Sequence, residues 1–196
     1  MTQSATTASS RRHTTSRRIT TCAQHLTDEH GLDGFTMEDL ADAAEVSRRT
    51  LFNYFPGKVD AVLGPGLHLP PEALEVFRSG GPQHDLVEDL TVLARTMLSE
   101  DLADRDVVGL HRRLLRANPR LLASAQERFE LVSEQLVGEI LTREGPAFDA
   151  ARARVAIRVL SALFDVALDA FLTDPRQREL ADHFADSLRT ARELLG

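Results

Sequence analysis

Residues 36–58, Thr36-Met-Glu-Asp-Leu-Ala-Asp-Ala-Ala-Glu-Val-Ser-Arg-Arg-Thr-Leu-Phe-Asn-Tyr-Phe-Pro-Gly-Lys58, leave the chain little choice of local fold. Thr36 followed three residues later by Asp39 is an aspartate form of the capping box and opens a helix. Leu40, Ala41 and Ala44 then return at helical spacing on one face. Glu45-Val46-Ser47 interrupts the spacing, and Ser47 caps a second helix that buries Leu51 and Phe55. Arg48, Arg49, Phe52 and Asn53 are left on its outer face. Two short helices joined by a tight turn, the second with a polar outer face, make a helix-turn-helix. The second helix of such a motif is the one that enters the major groove of DNA.

Phe35-Thr36, Leu40-Ala41, Ala44, Val46-Ser47, Thr50-Leu51-Phe52, Tyr54-Phe55 and Lys58 together resemble the DNA-binding domain of TetR/AcrR-type transcriptional regulators. The resemblance extends back to about Arg17 and covers the first third of the chain. It implies an all-α protein with an N-terminal three-helix domain and a helical ligand-binding and dimerisation domain. It also implies a repressor that binds a palindromic operator in double-stranded DNA as a homodimer and answers to a small molecule. One departure is Glu45, where many members carry glycine. A non-glycine residue with positive φ costs about 1 kcal/mol or more, so the turn is expected to rearrange slightly.

The formal net charge of −7 over 196 residues argues, taken alone, against a nucleic-acid binder. Its distribution overrides the sum. Residues 1–27 hold Arg11, Arg12, Arg17 and Arg18 and no acid, and residues 47–58 hold Arg48, Arg49 and Lys58 and no acid. DNA would therefore meet a local positive face. Cys22 is the one cysteine, so no intrachain disulfide forms, and its place on the apolar side of the first helix makes it a core residue. Apolar runs fall short of the ~18 residues that span a bilayer, and no signal peptide opens the chain, so a cytoplasmic setting without membrane contact is expected. His25 and His30, or Asp165 and Asp169, are the groups that suggest acid–base or metal chemistry. No metal-spaced cluster, phosphate loop or nucleophile motif accompanies them, so the reading is no enzyme, no metal and no cofactor.

In chain order, residues 1–14 read as a flexible basic arm and 15–63 as the helix-turn-helix domain, its first helix burying Ile19, Cys22, Ala23 and Leu26. Gly64-Pro65-Gly66, Pro70-Pro71 and Gly80-Gly81-Pro82 break regular helix, so 64–84 reads as a linker with one helical turn over 71–78. Helical periodicity resumes over 85–99, 103–116, 119–143, 150–172 and 176–195, and the domain 85–196 follows from it. The helix 150–172 is apolar nearly all round, so one chain covers one side and a second copy the other. The dimer is expected to form through 150–172 together with 176–195, and Leu163→Arg or Leu188→Arg would bury a charge at that interface.

At the DNA face, the resemblance implies phosphate contacts from Thr36, Thr50, Tyr54 and Lys58, supported by the donors of a helix N-terminus capped by Ser47. Arg48 and Arg49 stand where side chains reach base edges, and arginine bidentate to guanine is the commonest specific contact. Phe52 fits a thymine methyl, and Asn53 an adenine or a phosphate. The effector is expected between helices of the C-terminal half. Met97, His111, Phe129, Phe164 and Asp165 are the candidate pocket residues. Residues 105–172, which include His111-Arg-Arg-Leu-Leu-Arg-Ala-Asn-Pro119, resemble a group of actinobacterial regulators that includes the mycofactocin type. Some of these respond to acyl-CoA, which implies an apolar or amphiphilic, acyl-CoA-like effector.

Overall fold

The structure of the chain, a computed structural model, describes residues 3–66, 69–98 and 104–195; the side chains of 3–10, 97 and 98 lie outside that description. The described residues form ten α-helices and no strand: α1 Gln3–His30, α2 Met37–Ala43, α3 Arg48–Tyr54, α4 Lys58–Leu63, α5 Pro71–Arg78, α6 Leu86–Leu98, α7 Arg105–Ala117, α8 Pro119–Glu144, α9 Ala150–Thr173 and α10 Leu180–Leu195. None of them is long and apolar enough to cross a membrane.

They make two compact units, Met1–Gly66 with Gly109–Arg128, and Leu67–Val108 with Phe129–Gly196. Compactness is thus not colinear with the sequence, whose breaks suggested divisions at 63 and 84. In the first unit Ile19 and Ala23 of α1, Leu40 and Ala41 of α2, Leu51 of α3 and Val62 of α4 share a core with Phe35, Ala44 and Phe55, and Leu110, Leu114 and Leu121 from α7 and α8 complete it. Without those three leucines, one side of the short helices would face water.

The first helix begins at Gln3, not near Thr15. Residues 3–14 show no apolar stripe, yet they contain neither glycine nor proline, and extending a formed helix needs no new nucleus. The Thr15 hydroxyl donates to Arg11 O (3.0 Å) along this continuous turn. What reads as a flexible arm is helical from Gln3.

The link between α2 and α3 keeps its geometry despite Glu45, which adopts φ 51°. Glu45 N donates to Asp42 O (3.0 Å) and Val46 N to Ala41 O (2.9 Å). Both bonds of a Schellman ending are therefore made with glutamate in the left-handed position usually given to glycine. The expected rearrangement does not occur. The cost of about 1–2 kcal/mol is carried by the two hydrogen bonds and by burial of Ala44 and Leu51 on either side.

At the far end of α4, Gly64 takes φ 76° and its N–H closes on Asp60 O (3.0 Å). Arg128 of α8 donates to Gly64 O (2.8 Å) and Asp60 Oδ1 (2.7 Å), so the short α4 is held at its C-terminal end by a guanidinium that neutralises the exposed carbonyl end of the helix.

In the second unit α5 is core rather than linker, because Leu74 and Phe77 are buried with Leu90, Leu93, Val137, Ile140, Ala153 and Ile157. The final helix starts at Leu180, later than the expected 176. The Asp174 carboxylate accepts from Arg176 N (2.8 Å) and Arg178 N (3.2 Å), and Gln177 adopts φ 54°, which holds residues 174–178 as a turn.

Candidate nucleic-acid interface

Two caps set the pitch of α2 and α3. Thr36 Oγ1 accepts from Asp39 N (3.1 Å), while Asp39 Oδ2 accepts from Thr36 N (2.7 Å) and Thr36 Oγ1 (2.8 Å). These bonds, the backbone one foremost, hold the Asp39 carboxyl below its ordinary pKa. Ser47 Oγ accepts from Thr50 N (3.1 Å) and lies 2.8 Å from Thr50 Oγ1. Leu51 and Phe55 turn into the core, so Ser47, Arg48, Arg49, Phe52 and Asn53 emerge together as the exposed face of α3, with Thr50 and Tyr54 half-buried at its edges.

Helical residues of α1 flank that face. Arg12 stands with its guanidinium 5.7 Å from the Tyr54 ring centroid. Arg11, Arg12, Thr15, Asn53 and Tyr54 line a recess of about 350 Å³ beside the C-terminal end of α3. Two guanidiniums there suit both the negative end of the helix and an incoming phosphate.

The expected contacts do not all stand ready. The proton of the Thr36 hydroxyl is directed at Asp39, so this side chain offers an anion no free donor. Lys58 Nζ donates to Phe35 O (2.8 Å) and lies 5.0 Å from the Phe35 ring, pinning the start of α4 to the turn before α2 and leaving two of its three donors for a phosphate. Arg48 Nη1 is 2.6 Å from Glu38 Oε1 of α2, so the acid-free stretch 47–58 is met by an acid from the neighbouring helix. Arg49 and Asn53 have no partner among the described residues.

The effector candidates disperse. Phe164 of α9 lines a cavity of about 870 Å³ in the second unit with Ala94, Arg95, Leu180, Ala181 and Phe184 among its walls. Phe164 meets Phe184 edge to face at 5.8 Å. Phe129 instead packs under Arg158, with the guanidinium 5.6 Å from its ring. Asp165 lies exposed on α9 together with Asp169, so neither carboxylate bears the cost of burial in an apolar helix. Met97 falls outside the described side chains.

His111 belongs to the first unit. The Gln24 amide donates to Val62 O (3.0 Å) and to His111 Nδ1 (3.2 Å), which fixes a neutral imidazole. Burial lowers the His111 pKa below its ordinary 6.5. The unfolded chain then binds the extra proton more readily, so stability present above about pH 6.5 is lost as pH falls toward the folded-state value. The thermal midpoint should drop between pH 7 and pH 5.5. His111→Gln should flatten that slope, and an unaltered slope in the variant would remove His111 as its source.

The cavity also holds residues that periodicity does not single out. Arg105, at the start of α7, spends its donors on backbone: it donates to Phe171 O, to Asp174 O (3.2 Å) and to Arg178 O (2.7 Å), and lies 4.2 Å from the Phe171 ring. Arg178 is taken up by Asp186 (2.9 Å). Arg95, with one long contact to Ala181 O (3.5 Å), is the guanidinium left at the rim.

Residues 19–62 match the model of the bacterial regulatory proteins, tetR family. The helix-turn-helix-type transcriptional regulator YdeS of Bacillus subtilis strain 168 is 29% identical over 96 residues, which are 48% of this chain and 48% of YdeS. The chain thus matches about half the length of this curated relative. Among solved structures, Thermus thermophilus FadR, a TetR family transcriptional repressor in complex with lauroyl-CoA, is 26% identical with a TM-score of 0.51, over 92% of this chain and 94% of that one. A TetR-family protein from Mesorhizobium loti MAFF303099 shares the fold at 22% identity and a TM-score of 0.51, over 94% of this chain and 98% of its own. The capped pair α2 and α3 lies inside the segment that matches the tetR family model, and the all-helical fold is similar to that of FadR along nearly the whole chain.

Proposed function

We propose that the chain is a DNA-binding transcriptional repressor that binds a palindromic operator as a homodimer and is released by a small molecule. The observation that carries this reading is the outer face of α3, where Arg48, Arg49, Phe52 and Asn53 stand exposed beside the Arg11–Arg12 recess. A face with two guanidiniums in the first helical turn and a basic flank suits base edges and phosphates at once.

Dimerisation is supported by α9. Ala153, Ile157, Ala167 and Phe171 are buried within the protomer, while Val155, Val159 and Val166 are 61%, 43% and 59% exposed. With the exposed Ala162, these valines follow at spacings of four, three and four, an apolar seam of the kind that a second helix fills. The effector reading is supported by the cavity of about 870 Å³, with Phe164, Leu180 and Phe184 for an apolar body and Arg95 for an anionic head. FadR holds lauroyl-CoA, an amphiphile of this kind. Val59 and Leu63 of α4 pack in one cluster with Leu110, Leu114 and Leu115 of α7, which is the contact through which a ligand would change the DNA-binding helices.

The test is fluorescence anisotropy on duplexes from the DNA upstream of the chain's own gene. Arg49→Ala should lower operator affinity by about 1–3 kcal/mol and relax preference at one base pair. A double Arg48→Ala, Arg49→Ala variant that binds as tightly as the unmodified protein would refute the assignment.

A further inference from the structure

Glu38 occupies the first turn of α2, where acids are favoured by the helix dipole, but Asp39 already closes the capping box, so the cap does not need Glu38. Its carboxylate reaches across to α3 and holds Arg48 Nη1 at 2.6 Å. Both side chains are open to solvent, at 55% and 67%, and an exposed ion pair of this sort contributes little to folding. The Phe52 ring lies 5.7 Å from the same guanidinium. Arg48 is therefore held from two sides, while its neighbour Arg49 is held by none of the described residues.

We infer that Glu38 is a positioning residue for sequence readout: it holds the Arg48 guanidinium so that its Nε–Nη2 edge faces a guanine and keeps that arginine away from phosphates. The inference rests on the DNA-binding reading and adds to it a residue that does not itself touch a base. A guanidinium has two forks, and a carboxylate on Nη1 leaves the Nε–Nη2 fork whole. That fork matches the O6 and N7 acceptors of guanine bidentately. A side chain already fixed in its binding geometry loses less entropy when the complex forms. On arbitrary DNA a guanine rarely stands in the register that the tethered fork reaches, and an arginine held in that place adds no phosphate contact. Binding to arbitrary DNA scales with the number of cations free to neutralise phosphates, so the tether lowers it. Glu38 thereby acts on the difference between the two affinities, which is what specificity measures.

The experiment uses the full chain, a duplex that the unmodified protein selects from a random 20-base-pair library, and a scrambled duplex of equal composition. Glu38→Gln keeps the side-chain shape and removes the charge. The ratio of selected to scrambled affinity should fall about tenfold. Preference at one guanine should relax, and the salt slope on the scrambled duplex should steepen by about one unit. In an Arg48→Ala background the same substitution should leave the guanine preference unaltered, because Glu38 acts through Arg48. An equal rise on both duplexes, with guanine preference intact, would overturn the inference and make Glu38 a competitor of DNA. If Arg48→Ala alone left selected-duplex binding unchanged, base reading by Arg48 would fail together with the inference. If Arg48→Ala weakened binding while Glu38→Gln changed nothing, the inference alone would fail.

Discussion

Asp89→Ala is expected to destabilise the protein by about 3–5 kcal/mol, the cost of removing one partner from a buried ion pair. Asp89 and Arg143 have side chains 1% and 5% exposed, and Asp89 Oδ2 accepts from Arg143 Nη2 at 2.6 Å. The other carboxylate oxygen accepts from Gln83 N (2.9 Å), and the same Arg143 nitrogen donates to Gly80 O (2.9 Å). The guanidinium also lies 4.8 Å from the Phe77 ring. Gly81, at φ 68°, leaves the room: a Cβ there would stand 2.2 Å from the Asp89 carboxyl. Without the Asp89 carboxylate, Arg143 stays buried and charged, with Glu144 Oε1, 3.1 Å from its Nε, as its remaining acid. For a chain of this length the thermal midpoint should fall by about 6–20 °C. Asp89→Leu combined with Arg143→Met should lose much less than either substitution alone, because the buried pair is then replaced as a whole and Glu144 reaches solvent. A loss below about 1 kcal/mol for Asp89→Ala would mean that water reaches the pair.

Val159→Arg should convert the proposed dimer to monomers and lower affinity for a two-half-site operator by about 10²–10⁴-fold, because the second recognition helix no longer binds as part of the same molecule. Val159 is 43% exposed on the α9 seam, so the arginine does not disturb the protomer's own core. The positions suggested by periodicity were less suitable: Leu188 is buried within its own chain and Leu163 half-buried, so charges there test folding as much as association. Light scattering at micromolar concentration decides the matter. An unmodified chain that is a folded monomer under those conditions would remove the dimer.

The helix-turn-helix was open to reading from sequence because each of its determinants is local. Thr36 with Asp39, and Ser47 with Thr50, are caps spanning three residues, and the apolar positions between them repeat at one period. Glu45 was correctly singled out as a strained position, but whether strain moves the turn or is absorbed depends on the hydrogen bonds and burial around it. Contacts between elements were hidden. Glu38 on Arg48, Lys58 on Phe35 and Arg12 beside Tyr54 leave no periodic trace, since charged and polar surface positions are interchangeable to a hydrophobic pattern. The cavity was hidden for the same reason. Phe164 stood out as an aromatic on an apolar helix, while Arg95 and Leu180 look like any surface arginine or core leucine. His111 was drawn to the pocket by its neighbourhood in sequence, yet Gln24 claims it for the first unit.

That first unit has a consequence for how the protein is made. Gln24 and His111 are 87 residues apart, as are Asp33 and Arg120, and Leu110, Leu114 and Leu121 close the core around α1 to α4. At synthesis rates of about 5–20 residues per second, the interval between Gln24 and its histidine partner is roughly 4–17 s. From their own synthesis until Leu110, Leu114 and Leu121 are made, Leu40, Leu51 and Val62, all buried in the finished unit, have no leucines from α7 and α8 to cover them. The closing contacts are long-range and bear the loop-closure entropy that slows folding. The segment proposed to enter DNA is therefore made early and finished late, and a fragment ending at Gly66 is expected to expose on its apolar side what the full chain buries.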